Sequence, residues 1–250
     1  MKEIVRMLKA LVFSILVFFI TLIDVSALEY KVKDMTISLD ENAWSTYETD
    51  RIFESPDYGE LGLSYGETVE LNDYFKENGI YLYSILGNNE AYLYVLVEDG
   101  ESISNMNYQK SEWIEQVKEQ IKHSFNTNVV KEENINGYKY LVYNFYNGDY
   151  GIEYLTFMNG RFYKVSLEKE SEINSSDENI LKSIVKAIKF KNDWRYNLPQ
   201  DKKDKRDTII GRVSIIFIII TTSGCLKRII YKLMDKIDKK RESDKIKNIW

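Results

Sequence analysis

The hydrophobic positions of this chain fall into two kinds of run. Long, mostly apolar stretches lie near the two ends, at residues 8–23 and 208–226, whereas the segment between them alternates apolar and polar residues in short runs. Within that middle segment, Asn136-Gly137, Asn147-Gly148 and Asn159-Gly160 punctuate β-rich runs at 128–135, 138–146, 150–158 and 161–168. Asn-Gly suits the positive φ angles of a two-residue hairpin turn, so the pattern predicts a four-stranded antiparallel meander, with a longer loop also open at Asn147-Gly148-Asp149. The last run alternates throughout, with Tyr163, Val165 and Leu167 on one face and Lys164, Ser166 and Glu168 on the other.

Helical spacing frames the meander. Trp113, Ile114, Val117, Ile121 and Phe125 make one stripe over 111–126. After the meander, Ser175-Ser176-Asp177-Glu178 reads as a capping box, followed by Ile180, Leu181, Ile184, Val185 and Ile188 at helical spacing. Upstream, 79–86 and 91–97 read as strands, 35–39 as an opening strand, and 70–76 as a short helix stopped at Asn78-Gly79. Residues 45–67 carry Pro56 and three glycines and read as irregular. The predicted class is α+β: an antiparallel sheet meander with flanking helices, in one domain over residues 28–190.

The ends predict a location. Lys2, Arg6 and Lys9 precede an apolar core that leads to Val25-Ser26-Ala27, the pattern of a secretory signal peptide (1–27) cut after Ala27. The alternative is an uncleaved anchor, which leaves the body on the same side. Residues 208–226 are long enough to cross a bilayer, with Arg212 near one end and Thr221, Thr222, Ser223 and Gly224 diluting the run; a buried helix is the alternative. A charged linker (191–207) precedes this segment and a tail (227–250) follows it.

Charge sets the orientation. The tail holds nine Lys+Arg and four Asp+Glu, a net of +5, whereas residues 28–207 hold 21 and 33, a net of −12. The positive-inside rule puts the tail in the cytoplasm and the domain outside, as in a cell-surface protein of the cell membrane. An acidic body repels nucleic acid, so no nucleic-acid partner is expected. The tail places Leu226, Ile229, Ile230, Leu233 and Ile237 at helical spacing among lysines; it can lie on membrane lipid of an anionic leaflet or serve as a solvated flank. Few prolines and many Lys, Ile, Asn and Tyr fit an AT-rich bacterial coding bias.

Candidate chemistry is sparse. Cys225, the only cysteine, falls in the expected span, so the exported domain has no disulfide and must be stable through its core. His123, the only histidine, falls opposite Val117 and Ile121 and is expected to face solvent. Ser-His or Cys-His catalysis and a His/Cys zinc site therefore lack their residues. The clusters Glu98-Asp99-Gly100-Glu101 and Glu132-Glu133 read as solvated, without the spacing of a calcium loop. No catalytic, cofactor-binding or metal residue is predicted. Tyrosine is in excess: Tyr81, Tyr83, Tyr92, Tyr94, Tyr138, Tyr140, Tyr143, Tyr146, Tyr150 and Tyr154 lie in or near strands, either half-buried on the sheet or forming an aromatic binding surface.

Several stretches together resemble the PsbP/Mog-like domains, which include DcrB-type envelope lipoproteins. They are Met35-Thr36-Ile37-Ser38-Leu39 followed by Trp44, Ile135-Asn136-Gly137-Tyr138, the turn from Phe157 through Asn159-Gly160 to Tyr163, and the closing Ile184-Val185-Lys186-Ala187-Ile188-Lys189-Phe190. The resemblance covers 35–190, with 45–78 reading as an insertion. It implies an α/β/α sandwich and mostly non-enzymatic binding or assembly roles, and it supplies no active-site residue. The function expected is a single-pass membrane protein whose exported domain binds a protein or envelope component. A carboxylate-based envelope hydrolase and an accessory subunit of a membrane complex are the alternatives.

Overall fold

Two of the three Asn-Gly pairs form the expected tight turns. Asn136 and Gly137 have φ of 54° and 82°, and Asn159 and Gly160 have 51° and 75°, so both turns match the twist of their strands. The middle connection is a three-residue loop, 147–149, closing on the pair Tyr146↔Tyr150, and only Gly148 there has a positive φ. A computed structural model of the chain describes residues 27–87, 90–100 and 104–193. The expected signal segment up to residue 26, most of the linker, the span at 208–226 and the tail lie outside these. Among the described residues no helix is long and apolar enough to cross a membrane.

The fold is α+β. Among the described residues ten strands run β1 (Ala27–Val32), β2 (Met35–Asp40), β3 (Trp44–Glu48), β4 (Ile80–Leu86), β5 (Tyr92–Asp99), β6 (Val130–Ile135), β7 (Tyr138–Tyr146), β8 (Tyr150–Met158), β9 (Arg161–Lys169) and β10 (Lys189–Phe190). The α-helices described are α1 (Tyr65–Glu77), α2 (Ser111–Phe125) and α3 (Ser175–Ala187). A seven-stranded antiparallel sheet has the order β3-β4-β5-β9-β8-β7-β6, and a small sheet has the order β1-β2-β10. The expected meander is β6 to β9. The chain reaches its far edge by crossing from β5 through α2 to β6.

Both faces of the large sheet are covered, because neither can be left wet. On one face Leu93, Val95, Val142, Tyr154, Val165 and Leu167 pack against the small sheet (Met35, Ile37, Leu39) and α3 (Leu181, Ile184, Val185). On the other face two apolar clusters lie side by side. One joins α2 (Trp113, Ile114, Val117, Ile121) to Leu141, Tyr143, Leu155, Phe157 and Phe162; the other joins α1 (Leu71, Tyr74, Phe75) to Tyr47, Ile80, Tyr83, Tyr94 and Leu96. Gly151 lies under the Phe145 ring, where an added Cβ would meet ring carbons at 2.2 Å.

Three local expectations are corrected, and one face assignment gains a second covering layer. The stretch expected to be irregular contains β3, whose Trp44, Thr46 and Tyr47 pair with β4. Helix α1 starts five residues earlier than expected, because Ser64 and Glu67 form a reciprocal capping box that outweighs Gly66 and the β-branched Thr68 and Val69. The box before α3 is Asn174 with Asp177, not Ser175 with Glu178, since the Asn174 side chain accepts from the Ser176 and Asp177 amides. Lys164 and Ser166, on the polar side of β9, are 3% and 2% exposed because β9 is a central strand covered on both sides.

The turn asparagines also tie down the closing segment of the domain. Asn136 Nδ2 donates to the Lys186 carbonyl at the end of α3. Asn159 Nδ2 donates to the Lys191 carbonyl at 2.5 Å, and its Oδ1 accepts from the Asp193 amide at 3.3 Å. Glycine keeps the left-handed conformation of residue 159 but removes both side-chain bonds. Asn159→Gly should therefore lower stability by about 1 kcal/mol and speed hydrogen exchange at Asp193, with hairpin register intact by NMR. Asn159→Ala should cost more, because it also strains the turn.

Candidate binding groove

Helix α3 covers only part of its sheet face. Between its first turn and the edge strand β6, the sheet surface lies in an open groove of about 360 Å³. Val142, Ile152 and Tyr154 floor it; Lys131, Glu133, Asn144 and Glu178 line it, and the 127–129 loop closes one side. Val129 in that loop is 55% exposed. Lys182 on α3 reaches Glu133 Oε2 at 2.6 Å, bracing helix to edge strand.

Tyr154 is the distinctive residue here. Its side chain is 2% exposed and packs edge-on against Tyr140, centroids 6.0 Å apart. Its hydroxyl has no hydrogen-bond partner among the described residues. Burial first, then the nearby charges of Glu133 and Glu178, push the phenol up to about 12. The hydroxyl therefore stands in a negative field at the floor of a concavity, with no protein partner among the described residues.

The opposite sheet face buries a second set of polar groups. Lys164 lies across from Leu96 and Leu155, between the α1 and α2 clusters. Its Nζ is 3.8 Å from Glu98 Oε1, and neither Glu98 oxygen has a hydrogen bond. Glu153, 6% exposed, accepts from the Tyr143 hydroxyl. Burial raises both carboxyls above their ordinary value of 4.5; Lys164 partly offsets this in each, and Glu153 adds to the rise in Glu98. When both carboxyls are ionised, one ammonium serves two carboxylates.

The residues singled out from sequence fall in separate places. His123 is exposed on α2, as expected. Glu98 was expected to be solvated, yet its side chain is only 12% exposed, because β5 carries it to the covered face. Glu132 lies on the β6 edge and pairs with Lys118 on α2 at 2.5 Å. Glu101 lies outside the described residues. Among the described residues no group of three or more His, Cys, Asp or Glu side chains is placed to hold a metal ion. Tyr83, Tyr94, Tyr140, Tyr143 and Tyr154 are core residues, whereas Tyr146 is 61% exposed. Tyr146 meets Tyr150 with centroids 4.8 Å apart, and a second exposed aromatic group lies elsewhere, where Phe53 contacts the half-buried Tyr58 and the exposed Tyr65 with centroids 5.3 and 5.1 Å apart. Asn144, Lys131 and Glu178 of the groove carried no signal of their own, because only the sheet register and the α3 cap bring them together.

No family model and no curated protein matches the sequence. Among solved structures, the chain is similar in fold to cyanobacterial PsbP (CyanoP) from Synechocystis sp. PCC 6803, determined in solution. The match covers 67% of this chain and 94% of that one, at 9% identity and a TM-score of 0.41.

The buried charges give a pH prediction. Because Glu98 and Glu153 hold protons more tightly folded than unfolded, their contribution is fullest below about 4.5 and is lost as pH rises through their folded-state values. Glu98→Gln balances Lys164 with Glu153 alone. Thermal melts should show it more stable than wild type at pH 8, with the difference vanishing at pH 4. Lys164→Met should lose about 3–5 kcal/mol at neutral pH by stranding two buried carboxylates, and recover part of this in acid.

Proposed function

We propose that this chain is a single-pass membrane protein whose exported α+β domain is a non-enzymatic binding or assembly module for a protein or envelope component. The observation that carries the binding role is the groove beside α3: open, partly apolar and floored by a tyrosine whose hydroxyl has no partner. Ligand sites share these properties, being concave and mostly apolar with a few placed polar groups. The membrane placement is supported by the two apolar runs and by the change from an acidic body to a basic tail.

A hydrolase reading has one specific observation in its favour, the two raised carboxyls Glu98 and Glu153. Both lie on the sheet face covered by α1 and α2, away from the groove, and Lys164 is positioned to neutralise them. Binding is therefore the better-supported role.

Three measurements test the proposal. Protease added to intact cells should remove the domain and spare residues 227–250, and mass spectrometry of the mature chain should begin at Leu28. A protected domain with a digested tail overturns the topology. Cross-linking from the tethered domain on living cells should capture a partner through groove residues. A monomer with no captured partner that turns over an envelope substrate overturns the binding role.

A further inference from the structure

The groove has a graded chemistry. Val142 and Ile152 make its floor apolar, and the exposed Val129 extends that surface to the rim. The polar end is Tyr154, with Glu133 and Glu178 close enough to act on its hydroxyl. Glu133 uses Oε2 for Lys182 and leaves Oε1, while Glu178 is exposed in the first turn of α3. Lys131 also lines the groove and Lys182 neutralises one oxygen of Glu133, which leaves Glu178 as the lining carboxylate without a cation partner among the described residues. A group that completes this site needs an apolar stem and a cationic head that donates hydrogen bonds. Lysine and arginine have that form, with a methylene stem that packs on apolar surface and a charged end that seeks acceptors. The aromatic ring adds attraction for a cation. The net charge of −12 over residues 28–207 draws a basic partner toward the domain.

We propose that the groove is the docking site for a basic side chain of a partner protein, a lysine or arginine whose head group meets Tyr154, Glu133 and Glu178. This deepens the binding role above and rests on it. The partner's stem lies over Val142 and Ile152. Its ammonium or guanidinium accepts no bond, so the Tyr154 hydroxyl serves as acceptor for it and donates to one of the carboxylates.

The test uses the full chain in lipid nanodiscs and two blocked tripeptides, glycine-lysine-glycine and glycine-arginine-glycine. The controls are the glutamate counterpart and a neutral oligosaccharide of N-acetylglucosamine. Binding is read from NMR shifts of the Ile152 and Val142 methyl groups. At least one basic peptide should bind, weakening with salt, and the glutamate peptide should not. Tyr154→Phe removes a hydroxyl that supports nothing in the fold, and Glu178→Gln changes an exposed residue, so both should melt like wild type. Each should weaken the basic peptide at least about tenfold, the loss expected for a hydrogen bond to a charged group. Equal binding by the glutamate peptide, unchanged affinity in both variants, or occupation by the oligosaccharide alone overturns the basic-side-chain assignment. If the basic peptides fail but cells yield a partner cross-linked through the groove, the assignment falls and the binding role stands. If both experiments are empty, both fall.

Discussion

The pairing of β5 with β9 is the interaction on which the rest of the structure depends. It joins the early strands β3-β4-β5 to the late meander, in register from Tyr92↔Glu168 to Asp99↔Arg161. Without it there are two small sheets, each with faces too narrow for the helices that cover them. Its two strands are far apart in sequence, so closing the pair costs the entropy of a long loop, a topology that favours slow folding. Arg161 at its end binds Asp99 at 2.8 Å and Asp34 at 2.5 Å, linking the large sheet to the turn of the small one. Because β9 becomes central by this pairing, Lys164 has no route to water and must find its counter-charge inside.

The groove follows from the same arrangement at one remove. Helix α3 leaves the end of β9 and turns back over the sheet, and its start is set by Asn174 capping with Asp177. Asp177 is held to Lys169 at 2.6 Å, which fixes the first turn against β9. The neighbouring Glu178 is thereby directed toward the uncovered strip of sheet. A helix start one residue later would rotate that turn by about 100° and move this carboxylate away from Tyr154.

Much of the framework was legible because it rests on local chemistry. The Asn-Gly turns, the α2 stripe and the meander all come from short-range preferences that no distant contact overrides. What escaped was non-local. β3 is a strand because β4 lies beside it, and its five residues alone do not distinguish that state. The alternation in β9 correctly separated its two faces but could not show that a second layer covers the polar one, and the same hidden layer left Glu98 on β5 looking like a solvated charge. The tyrosines were marked as a group, yet nothing in their spacing singled out Tyr154, whose character comes from the end of a helix and an edge strand meeting over it.

The way the chain leaves the domain has a mechanical side. β10 is a two-residue strand on the rim of the small sheet, held to β2 and followed by the Asn159 clamp on residues 191–193. A pull applied at Asp193 meets that clamp first, then β10, then the C-terminal turn of α3. These contacts are few and can release one after another, whereas the β5–β9 seam lies behind them in the middle of the sheet. The domain is thus built with a peelable hem: tension applied at Asp193 would loosen the last segment of the domain while the groove and the central strands keep their shape.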